Sequence, residues 1–141
     1  MIDASEVIAA LELRPHPEGG WCVETWRATS AGGGRPSGSA ILFLLAAGQR
    51  SHWHRVDAAE VWQYAAGGAL ELSVWDGAGT VERHRLGGDV LAGDRPQVVV
   101  AADAWQAARP LGDWTLVGCI VTPAFEFAGF ALAPDSWEPP E

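Results

Sequence analysis

Three side chains able to do chemistry lie close together in "SHWHRVDAAEVWQY", residues 51–64: His52, His54 and Glu60. Alternate side chains of an extended strand share a face, so His52 and His54 are expected to point the same way. Two neutral imidazoles on one face already grip a metal ion at two points. The same residues could instead move protons, since imidazole titrates near neutral pH and a nearby carboxylate can hold its tautomer. The plainer alternative is a polar strand face that binds nothing. Five residues separate His54 from Glu60, enough for a tight turn that returns an antiparallel strand with Glu60, Trp62 and Tyr64 on one face.

Few other residues compete for a catalytic role. Tyr64 is the only tyrosine and therefore the only phenol available as an acid. Ser51 adjoins His52, but neighbours on a strand face opposite ways, which argues against a hydrolase dyad. Cys22 and Cys119 sit among apolar residues and read as reduced, unreactive thiols. His16 lies in "HPEGGW", where Pro17 and the Gly19-Gly20 pair predict a turn of special backbone geometry, so a structural role is favoured there. His84, among charged neighbours, reads as a solvated strand residue. The chain holds eight tryptophans, of which Trp53, Trp62 and Trp105 could line a pocket; for any one of them, core or interface packing is the plainer expectation.

The elements that must position these residues are short. "DASEVIAAL" predicts a helix with Asp3 as N-cap and Glu6 three residues on, ended by "RPHPEGG". Beyond Gly20 the chain breaks into strand-like segments: "WCVETWRA", "SAILFLLA", "SHWHRV", "EVWQYAA", "ALELSVWD", "TVERHRLG", "QVVVAA", "WTLVGCIVT" and "FAGFALA". Their spacing and their Gly, Pro and Asp breaks predict an all-β sandwich or barrel. "TSAGGGRPSG" lacks the GK[ST] ending of a phosphate loop and reads as a hairpin loop.

Composition removes whole classes of function. A net charge of −9 makes nucleic acid and anionic membrane unexpected partners. All nine basic residues are arginine, so Schiff-base chemistry, a lysine base and the P-loop lysine are absent together. An anionic ligand stays open if an arginine such as Arg27, Arg55 or Arg109 faces a pocket. The 141 residues fit one domain, with no secretory signal and no apolar run near the ~20 residues of a membrane span, so a cytoplasmic protein is expected.

Gly48, His52-x-His54, Glu60 and Gly67 together resemble the first motif of the cupin superfamily, small β-barrels that hold a metal or a small ligand centrally. "HPEGGW" (16–21), "SHWHRVDAAEVW" (51–62), "PQVVVAADAWQAAR" (96–109) and "WTLVGCIVTPAFEFAGFALA" (114–133) resemble, in order, the motifs of the cupin-5 family, also called DUF985. The resemblance implies a single all-β, cupin-type jelly-roll barrel over 1–141: a short N-terminal helix and lead-in at 1–15, the barrel at 16–133 and a surface tail at 134–141. It also implies a homodimer.

The sequence departs from the superfamily's metal-binding pattern. Where a third histidine is usual, "AADAWQ" (101–106) supplies Gln106. The implied ligand set is His52, His54, Glu60 and Gln106, and it should hold a divalent metal weakly, because an amide is a poorer ligand than imidazole. The donors do not distinguish zinc, iron, manganese and nickel, and no nucleotide cofactor is expected. Cupin sugar-nucleotide epimerases suggest a metal-free alternative with His54 as base and Tyr64 as acid. A non-catalytic small-molecule binding protein is the third reading. In each, a small polar ligand, sugar-like or a carboxylate, is expected to meet Glu60, Trp62, Trp105 and Gln106.

Overall fold

The computed structural model describes residues 2–140. The first element is α1, Ala4–Leu11, with the expected capping box: Glu6 N–H donates to Asp3 Oδ1 (3.1 Å) and Asp3 N–H donates to Glu6 Oε2 (2.9 Å). Val7, Ile8 and Leu11 of α1 pack on Leu13, Leu44 and Leu116.

Eleven strands follow: β1 (Arg14–Pro15), β2 (Trp21–Arg27), β3 (Ser39–Ala46), β4 (Ser51–Val56), β5 (Ala59–Gly67), β6 (Leu70–Trp75), β7 (Glu82–Leu86), β8 (Gln97–Val100), β9 (Trp105–Pro110), β10 (Trp114–Thr122) and β11 (Phe130–Leu132). They form two sheets with antiparallel pairing, in the orders β1-β2-β3-β10-β5-β8 and β11-β4-β9-β6-β7. The sheets face each other across Phe43, Leu45, Trp62, Leu70, Leu72, Leu86 and Val117, all buried. This is the expected all-β jelly-roll architecture with one leading helix. No helix among the described residues is long and apolar enough to cross a membrane.

One expected pairing is corrected. β4 and β5 are not a hairpin; β4 pairs with β9 and β11, while β5 pairs with β10 and β8 in the opposite sheet. The two residues between them, Asp57 and Ala58, carry the chain around a corner. Arg35 clasps the Asp57 carboxylate through both terminal guanidinium nitrogens (2.8 and 3.1 Å), and Asp57 N–H donates to the Gly129 carbonyl (3.0 Å). Spacing fixed the turn's length, but the partner strand depends on where each apolar face finds cover. β9 was not anticipated as a strand because "WQAARP" is poor in β-branched residues. It nevertheless holds the centre of its sheet, between β4 and β6.

The tail crosses the outer face of β4, β9 and β6. Its Trp137 packs against Trp53, Trp75 and Trp105, with ring centroids 6.2, 6.1 and 4.7 Å away.

Candidate functional site

The turn before β2 reaches into the barrel. At Gly19 the backbone has φ +109°, and a β-carbon there would overlap the Arg50 carbonyl oxygen, so only glycine lets this turn lie against β4. His52 N–H donates to the Glu18 carbonyl (2.9 Å), which anchors the turn and sends the Glu18 side chain inward. There Glu18 Oε1 accepts from Ser51 Oγ (2.6 Å), and Oε2 lies 3.1 Å from His54 Nε2.

β4 departs from regular alternation. Its register with β9 shifts between Ser51, opposite Ala108, and His54, opposite Gln106. One extra residue reverses the facing of side chains along a strand. Ser51 and His54, three apart, therefore converge on Glu18. His52 lies on the outer side, where its Nε2 meets the Pro134 carbonyl (2.8 Å). The expectation that His52 and His54 share a face is thus corrected by a bulge that spacing does not reveal.

His54 is fixed in one tautomer. Its Nδ1 lies 2.7 Å from the His52 carbonyl, which can only accept, so Nδ1 carries the hydrogen and Nε2 is bare in the neutral ring. Burial depresses the His54 pKa, against the opposing pull of Glu60; burial raises that of Glu18, against His16. Both directions favour the uncharged pair, with the proton on Glu18 donated to His54 Nε2. His16 completes this side: Glu18 N–H donates to its Nδ1 (3.1 Å), and burial holds its pKa below the ordinary value.

Glu60 approaches from the opposite sheet. Its pKa is pushed up to about 7, chiefly by burial, with the His54 charge pulling the other way. Gln106 positions it. Trp62 Nε1–H, a donor only, donates to Gln106 Oε1 (2.7 Å), which leaves the amide nitrogen to donate to Glu60 Oε1 (2.9 Å). Cys119, buried beside Glu60, has its thiol pKa raised well above the usual value by burial. Both cysteines are free thiols. His16, Glu18, His54, Glu60 and Cys119 line one small cavity, about 40 Å³, whose exposed wall is Glu24.

These contacts test the donor set inferred for a metal. His52 points out of the barrel, and the Gln106 oxygen is already taken by Trp62, so two of the four expected donors are unavailable. His16 offers no replacement through Nδ1, which accepts a backbone hydrogen. Among the described residues no group of three or more His, Cys, Asp or Glu is placed to hold a metal ion. The residues present do not fit the inferred centre.

Other expected contacts are also separated. Tyr64 is four residues from Glu60, roughly 13 Å along a strand. Buried Trp62 stands between them, and the Tyr64 hydroxyl donates to the Gly67 carbonyl (2.6 Å). Trp105 lies on the outside of the barrel, against Trp137 and under the Arg55 guanidinium (4.9 Å). His16 was read as part of a turn and Glu18 was not singled out; the signal for them was a glutamate placed directly before the glycine pair that docks it.

Residues 5–133 match the family described as Cupin superfamily (DUF985). No curated protein matches the chain. Among solved structures, a Shewanella oneidensis protein is 37% identical, with 94% of this chain and 85% of that one aligned at a TM-score of 0.89. A hypothetical protein from Leishmania major is 29% identical over 92% of this chain and 86% of that one, with a TM-score of 0.85. Oxalate decarboxylase from Bacillus subtilis shares the fold at 13% identity and a TM-score of 0.64, over 84% of this chain and 29% of that one. A match spanning nearly the whole length, through the turn that delivers Glu18 and the strands that deliver His54 and Glu60, makes this chain a member of the DUF985 family of the cupin superfamily.

Proposed function

We propose that this protein is a proton-transfer enzyme acting on a small hydroxy-carbonyl compound, an isomerase-like reaction that uses Glu18, His54 and Glu60. The observation that carries the reading is the pair of buried carboxyl groups flanking one bare imidazole nitrogen in a single cavity. Glu60, with a pKa of about 7, is near the optimum for a general base at neutral pH. It would take the proton from the carbon next to a carbonyl. As the enediol forms, the carbonyl oxygen would take the Glu18 proton that had been donated to His54 Nε2. Glu60 would then deliver its proton to the former carbonyl carbon while the other hydroxyl returns a proton to Glu18, which completes the isomerisation and restores both carboxyl groups. At about 40 Å³ the cavity admits only the reacting end of such a molecule. Tyr64 has no part in this reading, and neither does a metal on His52 and Gln106.

The test is deuterium exchange. Small hydroxyaldehydes and hydroxyketones, incubated with the protein in D2O, should lose their Cα–H proton signals faster than in buffer, and excess chelator should leave the rate unchanged. No exchange with any of them would count against the reading, and exchange abolished by chelator would redirect it to a metal.

A homodimer is the assembly we favour. Trp26, Ala40, Ile120, Val61 and Val99 follow one another across the outer face of the larger sheet, and Trp26, Ile120 and Val99 are exposed. Such a continuous apolar row marks an interaction surface. The wild type should sediment as a dimer and Ile120→Glu as a monomer; a monomeric wild type would overturn this.

A further inference from the structure

The cavity that holds Glu18, His54 and Glu60 admits only the reacting end of a molecule, so the remainder of a substrate must lie against its mouth. Of the lining residues, Glu24 is exposed and His16, Ile41 and Phe125 are half-buried, so the cavity opens beside Glu24. Arg27 bridges Glu24 and the Phe125 carbonyl, which puts Phe125 on the same rim. Phe125 is one of three packed rings: its centroid lies 5.0 Å from that of Phe127 and 5.7 Å from that of Phe130. Phe130 in turn stands 5.6 Å from the His54 ring. The cluster therefore runs from the cavity's imidazole outward to Phe127, which is 65% exposed.

The segment that carries these rings is pinned. Ala124 N–H donates to the Pro36 carbonyl (3.0 Å) and Phe125 N–H to Ser39 Oγ (2.9 Å). Arg27 Nη2 donates to the Phe125 carbonyl (3.0 Å), and Arg35 Nε to the Ala124 carbonyl (2.8 Å). An open phenyl ring on a backbone already held in place is a platform whose ordering a ligand does not have to supply.

Charge at the mouth disfavours an anion. Glu24 stands in the wall, and Glu18 and Glu60 lie within. Arg27 is engaged with both Glu24 oxygens (3.0 and 2.9 Å), and Arg35 with Asp57 and Glu126 (2.8 and 3.2 Å). A phosphate or carboxylate placed here would face carboxyl groups, with both neighbouring guanidinium groups already paired.

We propose that this mouth seats the aromatic ring of an uncharged hydroxy-ketone on Phe125 and Phe127 while its hydroxy-ketone end reaches Glu60 and His54, a substrate class that rests on the proton-transfer reading of the cavity. Contacts between aromatic rings are worth more than their buried area alone, which favours an aryl group over an alkyl chain. Phe127 is then a residue that selects substrate and takes no part in the chemistry.

The experiment compares 2-hydroxyacetophenone, dihydroxyacetone and dihydroxyacetone phosphate with the full-length protein in D2O, each exchange rate divided by that of the same compound in buffer. The aryl ketone should exceed dihydroxyacetone at least about tenfold in kcat/KM, and the phosphate should be the poorest of the three. Phe127→Ala should lower the aryl preference about fivefold through KM, and Phe127→Tyr should retain it. Binding is followed apart from catalysis: 2-hydroxyacetophenone added to 15N-labelled protein should shift the amide signals of Phe125, Phe127 and Gly129 saturably, more weakly in Phe127→Ala. Such shifts without exchange of any compound would keep the aryl site and remove the isomerase reading. Dihydroxyacetone or its phosphate exchanging as well as the aryl ketone would overturn the aryl site and leave the isomerase reading standing. An aryl preference unaltered in Phe127→Ala, or no binding of 2-hydroxyacetophenone, would overturn it equally.

Discussion

Glu60→Gln is expected to stabilise the protein at pH 8 by on the order of 3 kcal/mol while lowering the exchange rate by about 10²–10⁴-fold. The stability half follows from the raised pKa. An unfolded glutamate loses its proton near pH 4.5, whereas Glu60 in the barrel keeps it until about pH 7. Between those values the folded state binds more protons than the unfolded one, so stability falls as pH rises, and the loss is complete once both states are ionised above about pH 7. Glutamine cannot ionise and escapes this loss. Its oxygen can still accept from Gln106, so the local hydrogen bond is kept. Below about pH 4.5 the two proteins should be alike, and their urea midpoints should separate progressively up to pH 8. Parallel midpoint curves would show that Glu60 ionises normally and would remove the basis for its role as base. His54 acts with the opposite sign: its depressed pKa contributes stability that is present above about pH 6.5 and lost as the pH falls. Since both proteins keep His54, its contribution largely cancels in the comparison.

The catalytic half of the result has the same physical origin. Burial destabilises the Glu60 anion, which makes it a base of suitable strength at neutral pH and also a cost to folding. A variant that gained stability without losing exchange would place the base elsewhere in the cavity.

Gln106→Leu should destabilise the protein by roughly 2–4 kcal/mol. Gln106 joins two buried groups, accepting from Trp62 and donating to Glu60, and leucine would strand both. The Trp62 indole N–H would lose its acceptor in a buried setting, and the Glu60 anion would lose a donor, which moves its pKa further upward. Adding Trp62→Phe should recover about 1 kcal/mol, because the stranded indole is then removed as well. Chemical denaturation of the two single variants and the double variant measures this coupling. Strict additivity would mean that the tryptophan and the glutamine do not act as one network.

Much of the architecture was legible in the chain. The helix was marked by Asp3 and Glu6, and three strands, Ser39–Ala46, Ser51–Val56 and Trp114–Thr122, coincide with the strand-like segments read from the sequence. Those signals are local: capping, alternation and breakers act within a few residues of one another, so they can be read without knowing the fold. β9 escaped because its neighbours on both sides, rather than its own alanines, hold it extended.

The site was legible as residue types but not as an arrangement. His54, Glu60 and Gln106 were singled out from sequence, and all three meet inside the barrel. His52 was assigned to the wrong side because a single bulged residue in β4 is set by pairing with β9, a strand some fifty residues downstream. Tyr64 has the right parity to face inward, but distance along the strand and the bulk of Trp62 remove it from the cavity. Glu18 could not be found by strand logic at all, since it is carried by a turn whose value lies in fitting glycine against the Arg50 carbonyl. The sequence by itself determined the fold, the family and the donors available; only the tertiary structure decided which donors meet, because bulges, corners and docked turns are fixed by contacts between residues far apart in the chain.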